Sequence, residues 1–284
     1  MKFRKMNGVG NDFIIINNIE ERLPLSAFPM LAEKLCDRRM SIGADGLMAV
    51  EKSDKADFKM LFYNSDGTMG EMCGNGARCI CRYGYENSLC GEKQTIETTA
   101  GIVTGERLSK RVYKIRLNDP SVIKRDMKLE ALGKTYSVSY VELGRPGIPH
   151  AVVEMPNLGG MTFDDLRPLG RALRYHGEFP KGANVNFIEI NEDGSVTEAT
   201  YERGVEDFTL ACGTGTGSSA VILTLGGKVS GKSVRFHVPG GELTADVELE
   251  NGKVKNLYLI GTTNTVCKGE VTDEELCIHQ NAEK

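Results

Sequence analysis

Apolar residues in this chain recur mainly in short runs of four to seven positions, and many runs end at turn sequences such as Asn64–Gly67 and Asn251–Gly252. Such runs, bounded by Asn, Asp and Gly, are typical of β-strands joined by tight turns. The pattern predicts twelve strands: Phe13–Ile16, Leu47–Val50, Phe58–Tyr63, Thr95–Thr99, Val112–Leu117, Val138–Leu143, Ala151–Glu154, Asn186–Ile190, Val196–Tyr201, Ser233–Val238, Leu243–Leu249 and Val254–Ile260. The close spacing favours antiparallel pairing.

Helical periodicity is rarer along the chain. It predicts four helices: Ala27–Arg39, Phe163–Tyr175, about 75–88 and about 214–226. Many short strands and few helices predict an α+β fold, with mainly antiparallel, barrel-like sheets wrapped round central helices. The segment Asn118–Pro120 is a plausible domain boundary, because proline restricts the residue before it and interrupts regular structure.

Composition narrows the range of functions. The chain has 284 residues, 40% of them hydrophobic, which favours two domains. A net charge of -4 without clustered Lys and Arg argues against nucleic-acid binding. The amino-terminal segment lacks the features of a signal peptide, and no window reaches the roughly 20 apolar residues of a membrane span. We therefore expect a soluble, cytoplasmic protein without a membrane partner.

The eight cysteines do not form the paired C-x₂₋₄-C sets of a zinc site, so we expect no metal and interpret most of them as buried small apolar side chains. Two of them differ. Residues 72–78 read Met-Cys-Gly-Asn-Gly-Ala-Arg, and residues 211–217 read Ala-Cys-Gly-Thr-Gly-Thr-Gly. The shared Cys-Gly-x-Gly, repeated about half a chain apart, predicts two similar domains that each present one cysteine, Cys73 or Cys212, to a shared cleft.

A cysteine at the start of a helix has a chemical use. The exposed N–H groups and partial positive charge there stabilise a thiolate, so we expect a lowered pKa, and they can also hold a carboxylate. Two such starts facing each other would bind one α-carboxylate with a sulfur on either face of its α-carbon. Cys73 and Cys212 would then remove a proton from one face and return one to the other. The alternative is that both are ordinary buried cysteines beside tight turns.

The motifs together resemble the diaminopimelate epimerase family, whose members racemise an amino acid without pyridoxal phosphate. The resemblance is carried in order by Met6–Phe13, Ser41–Gly46, Tyr63–Thr68, Met72–Arg78, Gly144–Val152, Asn184–Phe187, Tyr201–Gly204 and Ala211–Gly215. It implies a first domain over 1–119, joined by a carboxy-terminal strand at about 264–284, and a second over 120–263.

The resemblance also assigns residues to roles. It implies that Cys73 and Cys212 are the acid and base, one a thiolate and one a thiol. Substrate-binding positions that it implies are Asn11, Asn64, Gly74, Asn75, His150, Asn184, Glu202, Arg203, Gly213 and Thr214. Among these, Gly74, Asn75, Gly213 and Thr214 would hold the reacting carboxylate through backbone N–H groups, and Arg203 would clamp the distal carboxylate. Asn64 could instead only shape a turn, His150 could be a loop histidine, and Glu202–Arg203 could be an exposed pair.

Two departures bear on the substrate. Ile148 stands where the family often has a substrate-binding asparagine, and Phe208 stands where it often has glutamate. We therefore expect interconversion of LL- and meso-diaminopimelate, with racemisation of another amino acid such as histidine, glutamate or a proline-like substrate as the alternative. A thiol redox or binding protein is a third possibility, although no Cys-x-x-Cys pair is present. The resemblance implies no cofactor, closure over the substrate, a homodimer, and a role in lysine and peptidoglycan precursor synthesis.

Overall fold

The computed structural model describes residues 1–70, 74–272 and 276. Within them the chain forms a mixed α+β fold that is mostly sheet, as the sequence predicts. Its helices are α1 (Asn18–Glu21), α2 (Phe28–Leu35), α3 (Gly74–Glu86), α4 (Phe163–Arg174) and α5 (Gly213–Leu225). Cys73, one of the two predicted catalytic thiols, lies outside the described residues.

The strands lie in chain order around these helices. They are β1 (Lys2–Gly8), β2 (Asn11–Asn17), β3 (Gly46–Glu51), β4 (Phe58–Asn64), β5 (Met69–Gly70), β6 (Lys93–Thr98), β7 (Gly101–Arg107), β8 (Val112–Arg116), β9 (Pro120–Ala131), β10 (Lys134–Leu143), β11 (Ile148–Glu154), β12 (Asn184–Ile190), β13 (Val196–Glu202), β14 (Asp207–Phe208), β15 (Val234–Val238), β16 (Gly241–Glu250), β17 (Lys253–Thr262) and β18 (Asn264–Glu270). Every predicted apolar run falls within or overlaps one of these strands.

The strands that the sequence pattern did not reveal are short, polar or glycine-containing. The 12-residue β9 carries Lys124, Arg125 and Asp126 at exposed positions, which hides its pleat in the hydrophobic pattern. β7 begins at Gly101, which has a positive φ of 110° and forms the turn from β6. A strand of this kind is held by its neighbours in the sheet and not by burial of its own side chains.

The chain divides into two compact units, Met1–Ile115 with Thr262–Lys284, and Arg116–Gly261. In the first unit, β1 pairs antiparallel with both β2 and β18, and β2 pairs parallel with β3. β3 and β4 are antiparallel, β4 pairs with β5 and, in parallel, with β6, and β6 pairs with β7. Helix α3 packs against β1, β2 and β7, whereas α2 packs against β3 and β4.

The second unit repeats this scheme strand for strand. β10 pairs antiparallel with β9 and β11, and β11 pairs parallel with β12. β12 and β13 are antiparallel, β13 pairs with β14 and, in parallel, with β15, and β15 pairs with β16. Helix α5 packs against β10, β11, β12 and β16, and α4 packs against β12 and β13. Each unit therefore has one helix, α3 or α5, that follows the second strand of a β4–β5 or β13–β14 hairpin.

The pleat of the strands separates two faces in each unit. In the first, Ile14, Leu47 and Tyr63 lie on the face that packs with Phe28 and Leu31 of α2. In the second, the cluster on the corresponding face is Ala151, Val185, Phe187 and Tyr201 with the α4 residues Leu166, Leu169 and Leu173. Because side chains alternate along a strand, the residues between these positions face the opposite side, toward α3 or α5.

Candidate active site

The start of α5 carries the second Cys-Gly-x-Gly copy. Cys212 is the N-cap residue, with an extended backbone at φ -115° and ψ 102°, and its carbonyl accepts the first helical bond from Thr216 N–H at 2.9 Å. The Thr214 hydroxyl lies 3.6 Å from the Cys212 sulfur. A Cβ atom at Gly215 would lie 2.2 Å from Oδ1 of Asn186, so this glycine lets the helix start approach β12 closely. The N–H groups of Gly213 and Thr214 belong to the first turn, where helical acceptors are missing.

The expected lowering of the pKa of Cys212 is wrong for the chain without a ligand. Removal from water is the largest influence and raises the pKa of this thiol well above its usual value, and the negative charges of Glu202 and Glu198 add to the rise. The Thr214 hydroxyl and the Gly215 N–H act in the opposite direction but do not compensate. Cys212 is therefore a neutral thiol near neutral pH, ready to donate a proton.

The ends of β12 and β13 bring three predicted residues together. Glu202 is the last residue of β13, and its Oε1 accepts a hydrogen bond from the Thr209 hydroxyl at 2.7 Å. Asn184 opens β12; its Oδ1 accepts from the Arg203 backbone N–H at 2.8 Å, and its Nδ2 donates to the Pro149 carbonyl at 3.2 Å. The exposed Arg203 guanidinium donates through Nη1 to the Lys181 carbonyl. Asn184 thus fixes the turn that carries Arg203.

His150 lies on β11 directly beside Asn184 in the parallel pairing, and its side chain is fully buried. Its Nδ1 lies 3.3 Å from Asn186 Nδ2, and its Nε2 has no hydrogen-bond partner among the described residues. Burial, together with a smaller contribution from the Arg203 charge, lowers the pKa of His150 to about 3. The histidine is therefore neutral near pH 7 and is no loop residue.

A buried carboxyl group lies under the first two turns of α5. Glu198 of β13 is 2% exposed, and it accepts hydrogen bonds from Thr216 Oγ1 at 2.5 Å and Ser219 Oγ at 2.6 Å. Burial raises the pKa of Glu198 to about 7, although both hydroxyl donors oppose the rise. This contact ties β13 to the helix that begins at Cys212.

In the first unit, α3 begins at the fully buried Gly74 and Asn75. Asn75 Nδ2 donates to Asn11 Oδ1 at 2.5 Å, and Asn75 Oδ1 accepts from the buried Arg78 guanidinium at 2.8 Å. The first turn of the helix is therefore fixed to the start of β2. Two predicted residues, Asn11 and Asn75, contact each other directly.

The Ser41–Gly46 segment supports Asn11 from the other side. Asp45 Oδ2 accepts from Asn11 Nδ2 and from the Asp12 backbone N–H, both at 3.1 Å. Arg38 holds Asp12 through two hydrogen bonds and also reaches Asp45. An ion-paired frame of this kind fixes the side-chain amide of Asn11 in one orientation.

Asn64 shapes a turn, as the sequence allowed. It ends β4, its Nδ2 donates to Thr68 Oγ1 at 3.0 Å, and its backbone N–H donates to the Thr68 carbonyl. Asp66 Oδ1 closes the same turn by accepting from Thr68 N–H and Oγ1. Asn64 therefore lies at the strand end that leads into β5 and α3.

The two departures from the family pattern have different surroundings. The Phe208 ring stacks on Phe163 at 4.7 Å and contacts Phe187 and Tyr201, so it belongs to the apolar core of the second unit. Ile148 is the half-buried first residue of β11, two positions before His150 on the same face. Only Ile148 lies among the candidate site residues.

The sequence alone did not single out Asp45, Asn186, Glu198 or Thr200. One signal was available, since polar residues at alternate positions of otherwise apolar strands, as in Asn184-x-Asn186 and Glu198-x-Thr200, are unusual for a buried face. Within residues 1–70, 74–272 and 276, no group of three or more His, Cys, Asp or Glu side chains could hold a metal ion. No helix in the same residues is long and apolar enough to cross a membrane.

Comparison with known proteins supports the resemblance. The family model described as diaminopimelate epimerase matches residues 3–112 and 145–266. The diaminopimelate epimerase of Aquifex aeolicus is 37% identical over 97% of this chain and 99% of its own length. That of Caldanaerobacter subterraneus subsp. tengcongensis is 36% identical over 95% of this chain and 99% of its own. The family resemblance predicted from the motifs is thereby confirmed.

Solved structures share the fold at low sequence identity. A phenazine biosynthesis protein of the PhzF family from Bacillus anthracis matches with a TM-score of 0.73 at 18% identity, covering 96% of this chain and 99% of that one. A probable proline racemase from Agrobacterium radiobacter K84 matches with a TM-score of 0.69 at 17% identity, covering 98% and 95%. These likenesses confirm the predicted α+β fold class.

Proposed function

Because this chain belongs to the diaminopimelate epimerase family and is therefore an isomerase, we propose that it interconverts LL- and meso-diaminopimelate by two-thiol proton transfer. The observation that carries the proposal is the start of α5, where Cys212, a glycine-rich first turn and Glu202 lie together. No cofactor takes part in the proposed reaction, because both proton-transfer groups belong to the chain.

Cys212 is the proton donor in the direction that starts from the ligand-free enzyme. Its raised pKa keeps it protonated, and a general acid must hold its proton until the carbanion forms. Cys73, which precedes α3, is the base that takes the α-proton. Their roles exchange in the reverse direction, and because both act on one α-carbon their titrations are coupled.

The helix starts stabilise the charge that develops in the reaction. The N–H groups of Gly213 and Thr214, and of Gly74 and Asn75, bind the carboxylate next to the reacting carbon and its enolate-like transition state. Glu202 and His150 contribute polar groups near Cys212. Arg203 has further N–H donors beyond the one that contacts Lys181, and it binds the distal carboxylate of the substrate.

Asn11, Asn64 and Asn184 are the proposed substrate-contacting amides. Asp45 and Asn75 orient the first, and the Pro149 carbonyl and the Arg203 N–H orient the last. A place in lysine and peptidoglycan precursor synthesis, a cytoplasmic location and a homodimeric state remain predictions from the family resemblance.

The experiment is α-proton exchange in D₂O under reducing conditions, followed by NMR. LL-diaminopimelate is compared with L-histidine, L-glutamate and L-proline. We expect exchange and epimerisation with diaminopimelate alone. Cys73→Ala and Cys212→Ala should each lower turnover by at least about 100-fold, since general acid–base groups contribute about 10²- to 10⁴-fold.

Cys267→Ala is the matched control, because Cys267 is an exposed thiol on β18 and should be dispensable. Exchange with another amino acid and none with diaminopimelate would reject the substrate. Normal turnover in either Cys73→Ala or Cys212→Ala would reject the two-thiol mechanism.

A further inference from the structure

His150 presents a problem that its neighbours only half solve. The ring is completely buried, and burial of an unpaired N–H or nitrogen costs about 1–3 kcal/mol. Its Nδ1 faces Asn186 Nδ2 at 3.3 Å, but Nε2 has no partner among the described residues. One edge of the imidazole is therefore satisfied within the fold, and the other is available to a ligand.

Which nitrogen carries the proton depends on the orientation of the Asn186 amide. Asn186 Nδ2 also lies 3.1 Å from the Ala151 carbonyl oxygen, which can only accept. Asn186 Oδ1 lies 3.0 Å from the Thr200 hydroxyl, which donates to it. A flipped amide would place Oδ1 against the Ala151 carbonyl, so the amide is fixed with its NH₂ group toward His150.

An NH₂ group can only donate, so the His150 Nδ1 that faces it must be an unprotonated acceptor. We propose that Asn186 is a positioning residue that fixes His150 as the neutral Nε2–H tautomer and thereby directs one buried N–H donor at the bound substrate. The inference rests on the proposed function, because it needs His150 to belong to the substrate site. It adds that the donor is fixed by a residue that does not itself touch the substrate.

The charge state of the ring agrees with this arrangement. The charged side chain that acts on His150 is Arg203, whose positive charge disfavours an imidazolium, while Asn186 is the side chain bonded to the ring. A neutral donor suits an anionic acceptor such as a substrate carboxylate, because it can stabilise negative charge without losing a proton to it. The second ring nitrogen then sets the tautomer, as is general for functional histidines.

The test reads the tautomer directly. The full chain is labelled with ¹⁵N-histidine, and two-bond correlations of the ring nitrogens are recorded without substrate at about pH 7.5. The sequence has four histidines, and a His150→Gln spectrum assigns the signal of His150. We expect a protonated Nε2 and a bare Nδ1 in the wild-type protein.

Three variants separate positioning from packing. Asn186→Asp presents only acceptors to Nδ1, so the proton should move to Nδ1. Asn186→Leu removes the donor at similar volume, so both tautomers should be populated. Thr200→Val is the matched control: it removes a hydrogen bond from the same network, but the Ala151 carbonyl still orients the amide, so the Nε2–H tautomer should persist.

Turnover with diaminopimelate gives the second readout. We expect kcat to fall about 10- to 100-fold in Asn186→Asp and Asn186→Leu, the range typical when the partner of a functional histidine is lost, with KM changed less than about threefold. Thr200→Val should stay within about threefold in both. Thermal melting of each variant shows that it is folded, and Asn186→Leu serves if Asn186→Asp is not.

The outcomes are separable from those of the proposed function. A wild-type His150 protonated on Nδ1, or on both nitrogens, would overturn the inference whatever the activity. So would unchanged kcat in an Asn186 variant whose tautomer has shifted. If the wild-type tautomer is as expected but no amino acid exchanges its α-proton, the proposed function fails and the hydrogen-bonding assignment stands.

Discussion

The two units share one strand-pairing scheme but differ in the layer of side chains between the sheet and the central helix. The pairings align four positions of the first unit with four of the second, because Phe13–Gly46 corresponds to His150–Asn184, and Val50–Met60 to Ile188–Glu198. The aligned residues are Phe13 and His150, Met48 and Asn186, Phe62 and Thr200, and Met60 and Glu198. All eight are buried.

The first layer is wholly apolar and the second wholly polar. In the first, the rings of Phe13 and Phe62 meet edge to face at 6.0 Å. In the second, His150, Asn186 and Thr200 form a hydrogen-bonded chain, and Glu198 accepts from two hydroxyl groups of α5. A polar layer is stable only when its members are paired, so an identical fold leaves room for chemistry in one unit and for packing in the other.

The central helices show the complementary choice. Helix α3, above the apolar layer, carries the buried Arg78, which binds Asn75 at the first turn. Helix α5, above the polar layer, carries Thr216 and Ser219 as partners for Glu198. The first unit therefore fixes its helix start from within the helix, and the second fixes it from the sheet.

His150→Phe tests whether the polar layer is functional, because it copies Phe13 into the aligned position. The similar size of the rings should preserve folding, while the Nε2–H donor is lost. We expect kcat with diaminopimelate to fall about 10²- to 10⁴-fold, the usual contribution of a proton-handling or charge-stabilising group. Steady-state kinetics and a melting curve measure the two effects.

His237→Phe is the control for this variant, since His237 is an exposed histidine of β15 in the same unit. Its turnover should stay within about twofold of the wild-type value. A His150→Phe enzyme with more than about half of the normal turnover would mean that the difference between the layers concerns packing alone.

Glu198→Gln tests the charge in the polar layer through stability. The folded-state pKa of about 7 lies above the ordinary 4.5, so the folded protein holds a proton that the unfolded chain has released. Stability conferred by this group is complete below about pH 4.5 and is lost as the pH rises to about 7. Glutamine does not titrate, so Glu198→Gln should gain on the wild type by about 3 kcal/mol over this interval.

Urea unfolding at about pH 4.5, 6 and 7.5 measures this difference. The exposed Glu130 of β9 provides a control, because Glu130→Gln should show no comparable rise. A difference between Glu198→Gln and wild type that is constant with pH would mean that the carboxyl group does not titrate in this interval, and that the polar layer carries no buried charge.

Most of the fold was predictable because burial leaves a periodic record. Runs such as Leu47–Val50 and Asn186–Ile190 announce strands, and the cysteine–glycine repeat announces two helix starts. β9 was missed because its outward residues are charged and its inward residues few. Pairing order was also out of reach, since the parallel contacts of β2 with β3 and of β11 with β12 join strands separated by a helix.

The candidate site was predictable where a motif carried it and opaque where hydrogen bonds do. Motif positions such as Asn184 and Glu202 lie together at strand ends, as the resemblance implied for a substrate site. The supporting partners Asp45 and Asn186 become evident only when side-chain distances are known. The pKa of Cys212 was predicted in the wrong direction, because helix position is visible in the sequence whereas burial and the nearby Glu202 are not.

Ile148→Asn sharpens the comparison at the substrate-facing end of the strands. Ile148 opens β11 where Asn11 opens β2, so one unit offers an amide and the other an aliphatic chain at the same place. The substitution copies the first unit into the second and restores the residue that the family often has there. A new hydrogen bond contributes about 0.5–1.5 kcal/mol, so KM for diaminopimelate should fall two- to tenfold, with kcat changed less than about twofold.

Ile148→Leu, which changes shape but adds no polar group, should leave KM within about twofold. Because the isoleucine is only half-buried, its replacement by asparagine should cost less stability than a core substitution, and the melting temperature checks this. An unchanged or higher KM in a folded Ile148→Asn enzyme would show that the substrate does not reach the start of β11. The amide of Asn11 would then serve the first unit in a way that has no counterpart in the second, and recognition would depend on Arg203 and Asn184 instead.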